Sequence, residues 1–356
     1  MNTSTLNRHS RLEALGAHVP ETVLTTRELT EGIAAAVRDA DLQRITGVAE
    51  RRVYDPDPAA AENSFSMALS AARDCLAASR YEAADLDVVI SASITRFTDG
   101  GRFTFEPSFA SLLARELGAR KAIHFDVSNA CAGMMTGVYL LDRMIRSGAV
   151  RNGLVVSGEQ ATAVAETAAR EVTDSYDPQF ASLSVGDSAA AVVLDTSTDE
   201  ADRIHYVELM TCSEYSHLCM GMPSERSQGI ALYTDNKKMH NRDRLKLWPR
   251  FHGDLLAKQG REFTDEAFDY VIQHQVGTRF IDYVNQTAEA EFGAAMPTSL
   301  AVVEKYGNTA TTSHFLTLRE HLRAGTARPG SRFLMVPAAS GVVTGALSAT
   351  ITNMGV

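Results

Sequence analysis

Cys131 stands in SNACAGMMTG, where a strand-like HFDVS run feeds a tight turn and a helix is expected to begin at the cysteine. A thiol there meets unpaired backbone N–H groups and the positive end of the helix dipole. Both favour a thiolate and a reactive nucleophile. The competing reading is a small buried core residue, the commonest fate of a free cysteine. His274 closes the apolar run in VIQHQVGTR, where a side chain projects into the crevice at a strand's C-terminal edge. Taken singly, it reads equally as a satisfied core histidine. Asn308 follows Gly307 in EKYGNTATTS at an expected helix start, where asparagine also makes a good N-cap. The three together suit one chemistry: a cysteine nucleophile, with histidine and asparagine as donors to a thioester carbonyl oxygen. Glu106 lies in RFTFEPSFASLL, just before a proline. It is either a carboxylate favoured by a helix N-terminus or a general base, which must be partly desolvated to be useful.

The elements that must position these residues alternate between strand-like and helical patterns, the mark of an α/β fold. Residues 86–93, 122–128, 154–158 and 188–195 read as strands in the first half. Residues 107–117 read as a helix with proline in its first turn. A second helix is expected from Cys131 to Arg146, with Val138, Leu141 and Ile145 as its buried stripe. Gly133 and Gly137 share a face of that helix and let another backbone approach. The second half offers nearly the same series. Strand-like 269–275 is followed by a helix, a glycine-led helix start at 307–318, and strands at 333–339 and 345–352. Cys131 stands about as far from Leu154 as Asn308 does from Phe333, which suggests an internal duplication.

Composition narrows the function classes. The 356 residues are 45% hydrophobic and 22% charged, an ordinary globular balance. The net charge of −10 speaks against a nucleic-acid binder. No run of eighteen apolar residues offers a transmembrane helix, and the N-terminus has no secretory apolar core. Four sparse cysteines with no CxxC argue against a metal ribbon or a disulfide framework, so a reducing cytoplasm is expected. Against this acidic background the segment 236–250 is cationic, with Lys237, Lys238, Arg242, Arg244, Lys246 and Arg250 facing one acid, Asp243. It is either a solvated helix face or a docking site for an anionic partner such as a phosphopantetheine carrier.

DVSNACAGMMTGVYLLDRMIRSGAVRNGLVVSGE resembles the nucleophile region of the ketoacyl-ACP synthase III branch of the thiolase superfamily. So do VIQHQVG, VEKYGNT and the closing ASGVVTGALSATI. The order Cys, His, Asn is the same, and the resemblance spans nearly the whole chain. FEPSFASLLARELG, SGEQATAVAETAAREVT and CSEYSHLCMG are further similar to the subgroup that condenses two acyl thioesters head to head in olefin biosynthesis. The resemblance implies a thiolase-like five-layered αβαβα fold of two similar halves. Residues 1–197 would carry the nucleophile, and residues 198–356 the histidine and asparagine. It implies catalytic Cys131, His274 and Asn308, and an oxyanion hole from the backbone N–H groups of Cys131 and Ser340. It also implies a homodimer, with the strand near 122–128 at its interface and Glu106 entering the partner's site as base. Acyl-CoA or an acyl carrier protein would be the donor, with Lys237, Arg244, Lys246 and Arg250 at the docking face. CoA or phosphopantetheine would then be the substrate carrier, with no other cofactor, metal, nucleic acid or membrane involved. Two features depart from the family: the asparagine segment reads GNTATTS rather than GNxxxAS, and 222–262 is polar and basic where the olefin subgroup carries a longer apolar helix.

The chemistry implied is a Claisen-type condensation through a cysteine-bound acyl group. The carbanion arises by loss of carbon dioxide or, with Glu106 as base, by direct proton removal. One alternative is an acyltransferase that passes the acyl group to an alcohol or amine. Another is a silent subunit, but such subunits usually lose the nucleophile that this chain keeps.

Overall fold

The computed structural model describes residues 8–33, 37, 41–57, 60 and 62–356. A five-stranded and a six-stranded sheet organise them. In the first, the strands run in the order His9–His18, Ser188–Ser197, Asn152–Glu159, Val88–Ser91, Ile123–Asp126. The first two pairings are antiparallel and the last two parallel. The second sheet repeats this order and these directions with Arg203–Thr211, Val343–Ile351, Ser331–Val336, Tyr270–Gln273 and Thr298–Ser299. The short Ala338–Ala339 strand adds to Val343–Ile351. The repeat expected from the spacing is therefore present in the topology.

Five layers result. Helices Ser64–Ala78 and Phe109–Leu117 cover the outer face of the first sheet, through Met67, Ala71, Phe109 and Leu113. Helices Leu247–Ala257 and Thr278–Phe292 cover the outer face of the second, through Trp248, Leu256 and Val284. Helices Gly133–Ser147 and Ser313–Arg323 lie between the sheets, in one core that includes Val138, Leu141, Ile145, Phe315 and Phe333. Helices clothed by sheet on both sides must be apolar over a wide arc, and Met134, Met135, Leu316 and Leu318 are all fully buried. A Cβ on Gly133 would sit 2.8 Å from the Ala92 carbonyl oxygen, and one on Gly137 would sit 2.6 Å from Val155 Cγ1. Both glycines thus let the helix press onto the first sheet.

The helix after Glu106 starts later than its sequence suggests. Ser108 is the N-cap and Phe109 the first helical residue, so Pro107 lies ahead of the first turn. Among the described residues no helix is long and apolar enough to cross a membrane.

Candidate active site

Each central helix is preceded by a short 3-10 turn, Ala130–Ala132 in one half and Ala310–Thr312 in the other. Ala130 and Ala310 both adopt the left-handed backbone conformation, with φ of 45° and 53°. L-residues rarely accept it, and such strain gathers at functional sites. The duplication places Cys131 in one turn and Thr311 in the matching place of the other. Cys131 is the second residue of its turn, where the backbone N–H has no partner within the helix. Asn129, the N-cap, makes no side-chain cap; its amide donates instead to Thr136 Oγ1 at 2.9 Å. Among the described residues no acceptor of another residue takes the Cys131 N–H.

A cavity of about 790 Å³ opens over this turn, and Cys131, His274, Asn308 and Ser340 all line it. His274 follows the last residue of the Tyr270–Gln273 strand. Its N–H donates to the Val336 carbonyl at 3.1 Å, and its ring stacks on His314 at 5.8 Å between centroids. The ring's Nδ1 lies 2.8 Å from Ser313 Oγ. That hydroxyl donates to the Ala310 carbonyl at 3.1 Å, so it accepts from Nδ1–H and leaves Nε2 with a lone pair. Burial, and then His314 and His240, push the imidazole down to about 3, so it is neutral at physiological pH. Asn308 caps no α-helix. Its Oδ1 accepts from the Ala310 N–H at 3.0 Å, and its backbone bonds Ser184 and Gly186. With the oxygen engaged, the amide NH₂ is the free end and can only donate.

The thiol departs from the sequence expectation. Burial pushes Cys131 up to about 12, and Cys219 and Glu159 nearby act in the same direction. The turn's dipole does not offset the loss of water, so the resting group is a thiol and needs a base. Alkylation of Cys131 by a small neutral reagent should therefore rise about tenfold per pH unit from pH 7 to 10. A plateau near neutrality in a stopped-assay pH series would show a thiolate at rest instead.

Glu106 is exposed and does not line its own chain's cavity, although Phe103 and Phe105 do. Its bland reading loses support as well. The N–H groups that open the following helix are taken by Asp126, at 2.9 Å from Phe109 and 2.8 Å from Ala110, and by Ser108 at 3.2 Å from Ser111. No helix donor remains for Glu106 to satisfy. The cationic segment is also more compensated than its sequence implies. Lys246 and Arg250 both pair with Glu291 of the neighbouring helix, at 2.9 and 3.1 Å. Lys237 is exposed. Arg244 lines the cavity. Despite its charge the region turns Met239, Leu245, Leu247 and Trp248 inward onto the cavity.

Glu159 went unassigned in the sequence. It is fully buried, lines the cavity, and accepts from the N–H groups of Ile94 and Thr95 and the hydroxyls of Thr95, Ser157 and Thr311, at 2.7–3.0 Å. Through Thr311 it ties the first sheet to the turn that faces Cys131 from the other half. Burial raises its pKa despite these donors. The one cue in the sequence was an acid at the end of a largely apolar run, SGE.

Comparison with known proteins places the fold in a family. The model of 3-oxoacyl-[acyl-carrier-protein] synthase III fits residues 125–213, and that of its C-terminal region fits residues 258–351. The chain is 30% identical over 341 residues to a beta-ketoacyl-[acyl-carrier-protein] synthase III of Bacillus pumilus, covering 94% of this chain and 96% of that protein. Among solved structures it shares the fold of Xanthomonas campestris OleA with bound lauric acid and lauroyl-CoA (22% identity, TM-score 0.81, 96% of this chain and 99% of that one). The same holds for 3-oxoacyl-[acyl-carrier-protein] synthase III of Aquifex aeolicus (24% identity, TM-score 0.77, 96% and 99%). With matched regions in both halves and a relative aligned over nearly its whole length, the chain belongs to the 3-oxoacyl-[acyl-carrier-protein] synthase III family of thiolase-fold enzymes.

Proposed function

We propose that the protein joins two acyl thioesters by a Claisen condensation, with Cys131 carrying the first acyl group. One observation supports this above others: Cys131, His274, Asn308 and Ser340 come from separate segments of both halves and line one largely apolar cavity. Such a cavity suits an aliphatic acyl chain with a few convergent polar groups at its reacting end. In the first step His274 Nε2 takes the thiol proton, the sulfur attacks the thioester carbonyl, and the carrier thiol leaves with the proton. The backbone N–H groups of Cys131 and Ser340 hold the developing oxyanion. In the second step a base removes an α-proton from the other thioester. The amide N–H of Asn308 holds the enolate oxygen; His274 is neutral again, its proton having left with the carrier thiol. The α-carbon attacks the acyl carbonyl, and Cys131 leaves as the thiolate.

The base proposed is Glu106 of a partner subunit, which makes the reaction nondecarboxylative. Three features support a homodimer. Among the described residues the Ile123–Asp126 strand is paired on one edge only, by Val88–Ser91. Ile123 on that strand is 56% exposed, and Phe105 beside Glu106 in the chain is 75% exposed, both large apolar side chains. Glu106 adjoins Phe105 and lies outside its own cavity. Light scattering at micromolar concentration should return twice the 38.5 kDa chain mass, and Ile123→Lys should shift it toward one chain. A single-chain mass for the unmodified protein would remove Glu106 from the mechanism.

The loading step is tested by mass spectrometry of the intact protein after exposure to a panel of acyl-CoAs. The expected result is an adduct of one acyl group on the Cys131 peptide. An adduct on Cys75, Cys212 or Cys219, or none from any donor, would overturn the reading.

A further inference from the structure

The cavity wall is not uniformly apolar. Val164, Val185, Met222, Ile230 and Leu232 all line the cavity. The run from Thr234 to Arg244 contributes a polar strip of Thr234, Asn236, His240 and Arg244. Thr234 is engaged with Cys219 Sγ at 3.3 Å. Among the described residues the other three side chains make no hydrogen bond and no ion pair. His240 is held by its ring alone, 5.1 Å from Phe280, and also borders an outer groove lined by Arg242 and Lys246. Among the described residues Arg244 is the only lysine or arginine that lines the cavity. Its guanidinium lies 4.1 Å from the centre of the Tyr215 ring, which fixes its plane, and its Nε is buried without a partner. Among the described residues the one acid on the same cavity, Glu159, already accepts from five donors.

A guanidinium turned toward an apolar cavity with no counter-charge is costly unless a ligand supplies one. Its planar fork matches a carboxylate or a phosphate better than any neutral group. We propose that Arg244, with His240 and Asn236 on the same strip, binds an anionic oxygen group of the substrate, namely a carboxylate at the far end of an acyl chain. One substrate would then be the half-thioester of a dicarboxylic acid. This rests on the condensing reading above. The phosphate of a carrier arm offers the same chemistry from another source.

The test compares the unmodified enzyme, Arg244→Gln and Arg244→Lys. Each is given butanoyl-CoA, pentanoyl-CoA, succinyl-CoA and glutaryl-CoA, and the N-acetylcysteamine thioesters of the same acids, which lack phosphate. The readout is the second-order rate of Cys131 acylation. If Arg244 binds an acyl carboxylate, Arg244→Gln loses about tenfold to a hundredfold more on the succinyl and glutaryl donors than on the plain ones, whichever carrier is used. Arg244→Lys recovers part of that loss. A loss shared by all CoA donors and absent from all N-acetylcysteamine donors overturns the carboxylate assignment in favour of the phosphate. Equal losses across all eight donors overturn the subsite altogether. Failure of every donor to acylate Cys131 in the unmodified enzyme would instead sink the condensing reading, so the two failures are distinct.

Discussion

Glu106→Gln should still load an acyl group onto Cys131 but fail to join it to a second one. Loading needs the thiol, a proton acceptor at His274 and the two oxyanion donors, and Glu106 touches none of these in its own chain. Joining needs a proton taken from a carbon acid, which an amide cannot accept. General-base catalysis is worth about a hundredfold to ten-thousandfold, so condensation of two plain acyl-CoAs should fall by that factor while the acyl-enzyme accumulates. The substitution is isosteric on an exposed side chain, so stability should change by less than about 0.5 kcal/mol. A malonyl donor makes the carbanion by losing carbon dioxide and needs no base. Near-native condensation of two plain acyl-CoAs by the variant would leave Glu106 as a surface carboxylate. If only the malonyl donor keeps a near-native rate in both enzymes, the chemistry is decarboxylative.

Cys131→Ala should abolish acyl-enzyme formation and lower turnover by a factor on the order of a thousand or more, the scale seen when a covalent nucleophile is lost. Its fold should persist. Cys131 is only partly buried, its cluster with Ala130, Ala132, Ala339 and Val343 is made of small side chains, and alanine keeps the Cβ. A thermal midpoint within about 4 °C of the unmodified protein separates lost chemistry from lost structure. Persistent acyl labelling of the variant would move the nucleophile elsewhere. Cys219 would be the first candidate, since it lines the same cavity.

The layers and the repeat were legible because buried strands and inter-sheet helices are written as apolar runs of recognisable period. Val88–Ser91, Ile123–Asp126 and Tyr270–Gln273 all fall inside the runs that announced them. Residue types and the family resemblance pointed to Cys131, His274 and Asn308 as a set, and all three line one cavity. What escaped depends on neighbours far away in the chain. The thiol's protonation follows from the water removed by its surroundings, and local sequence indicated only the helix dipole. The cationic segment looked free until Glu291, more than forty residues on, was seen to neutralise Lys246 and Arg250. Pro107 suggested a first turn, but Asp126 supplies the N-terminal acceptors and Ser108 the cap, so the helix begins two residues later. Glu159 needed five donors from three separate segments before its place was visible. Its sequence neighbours, Gly158 and Gln160, say nothing of them.

The central claim is that this enzyme makes a carbon–carbon bond between two acyl groups. The most direct measurement incubates the unmodified enzyme with one acyl-CoA labelled with carbon-13 at the carbonyl carbon, then resolves the product by mass spectrometry and NMR. The expected product is a 3-oxoacyl compound with two labelled carbons, one the ketone and one the carboxyl end, joined through a former α-carbon. Only free acid, or an ester or amide formed when an alcohol or amine is added, would mean that the acyl group leaves Cys131 for water or a heteroatom and that no condensation takes place.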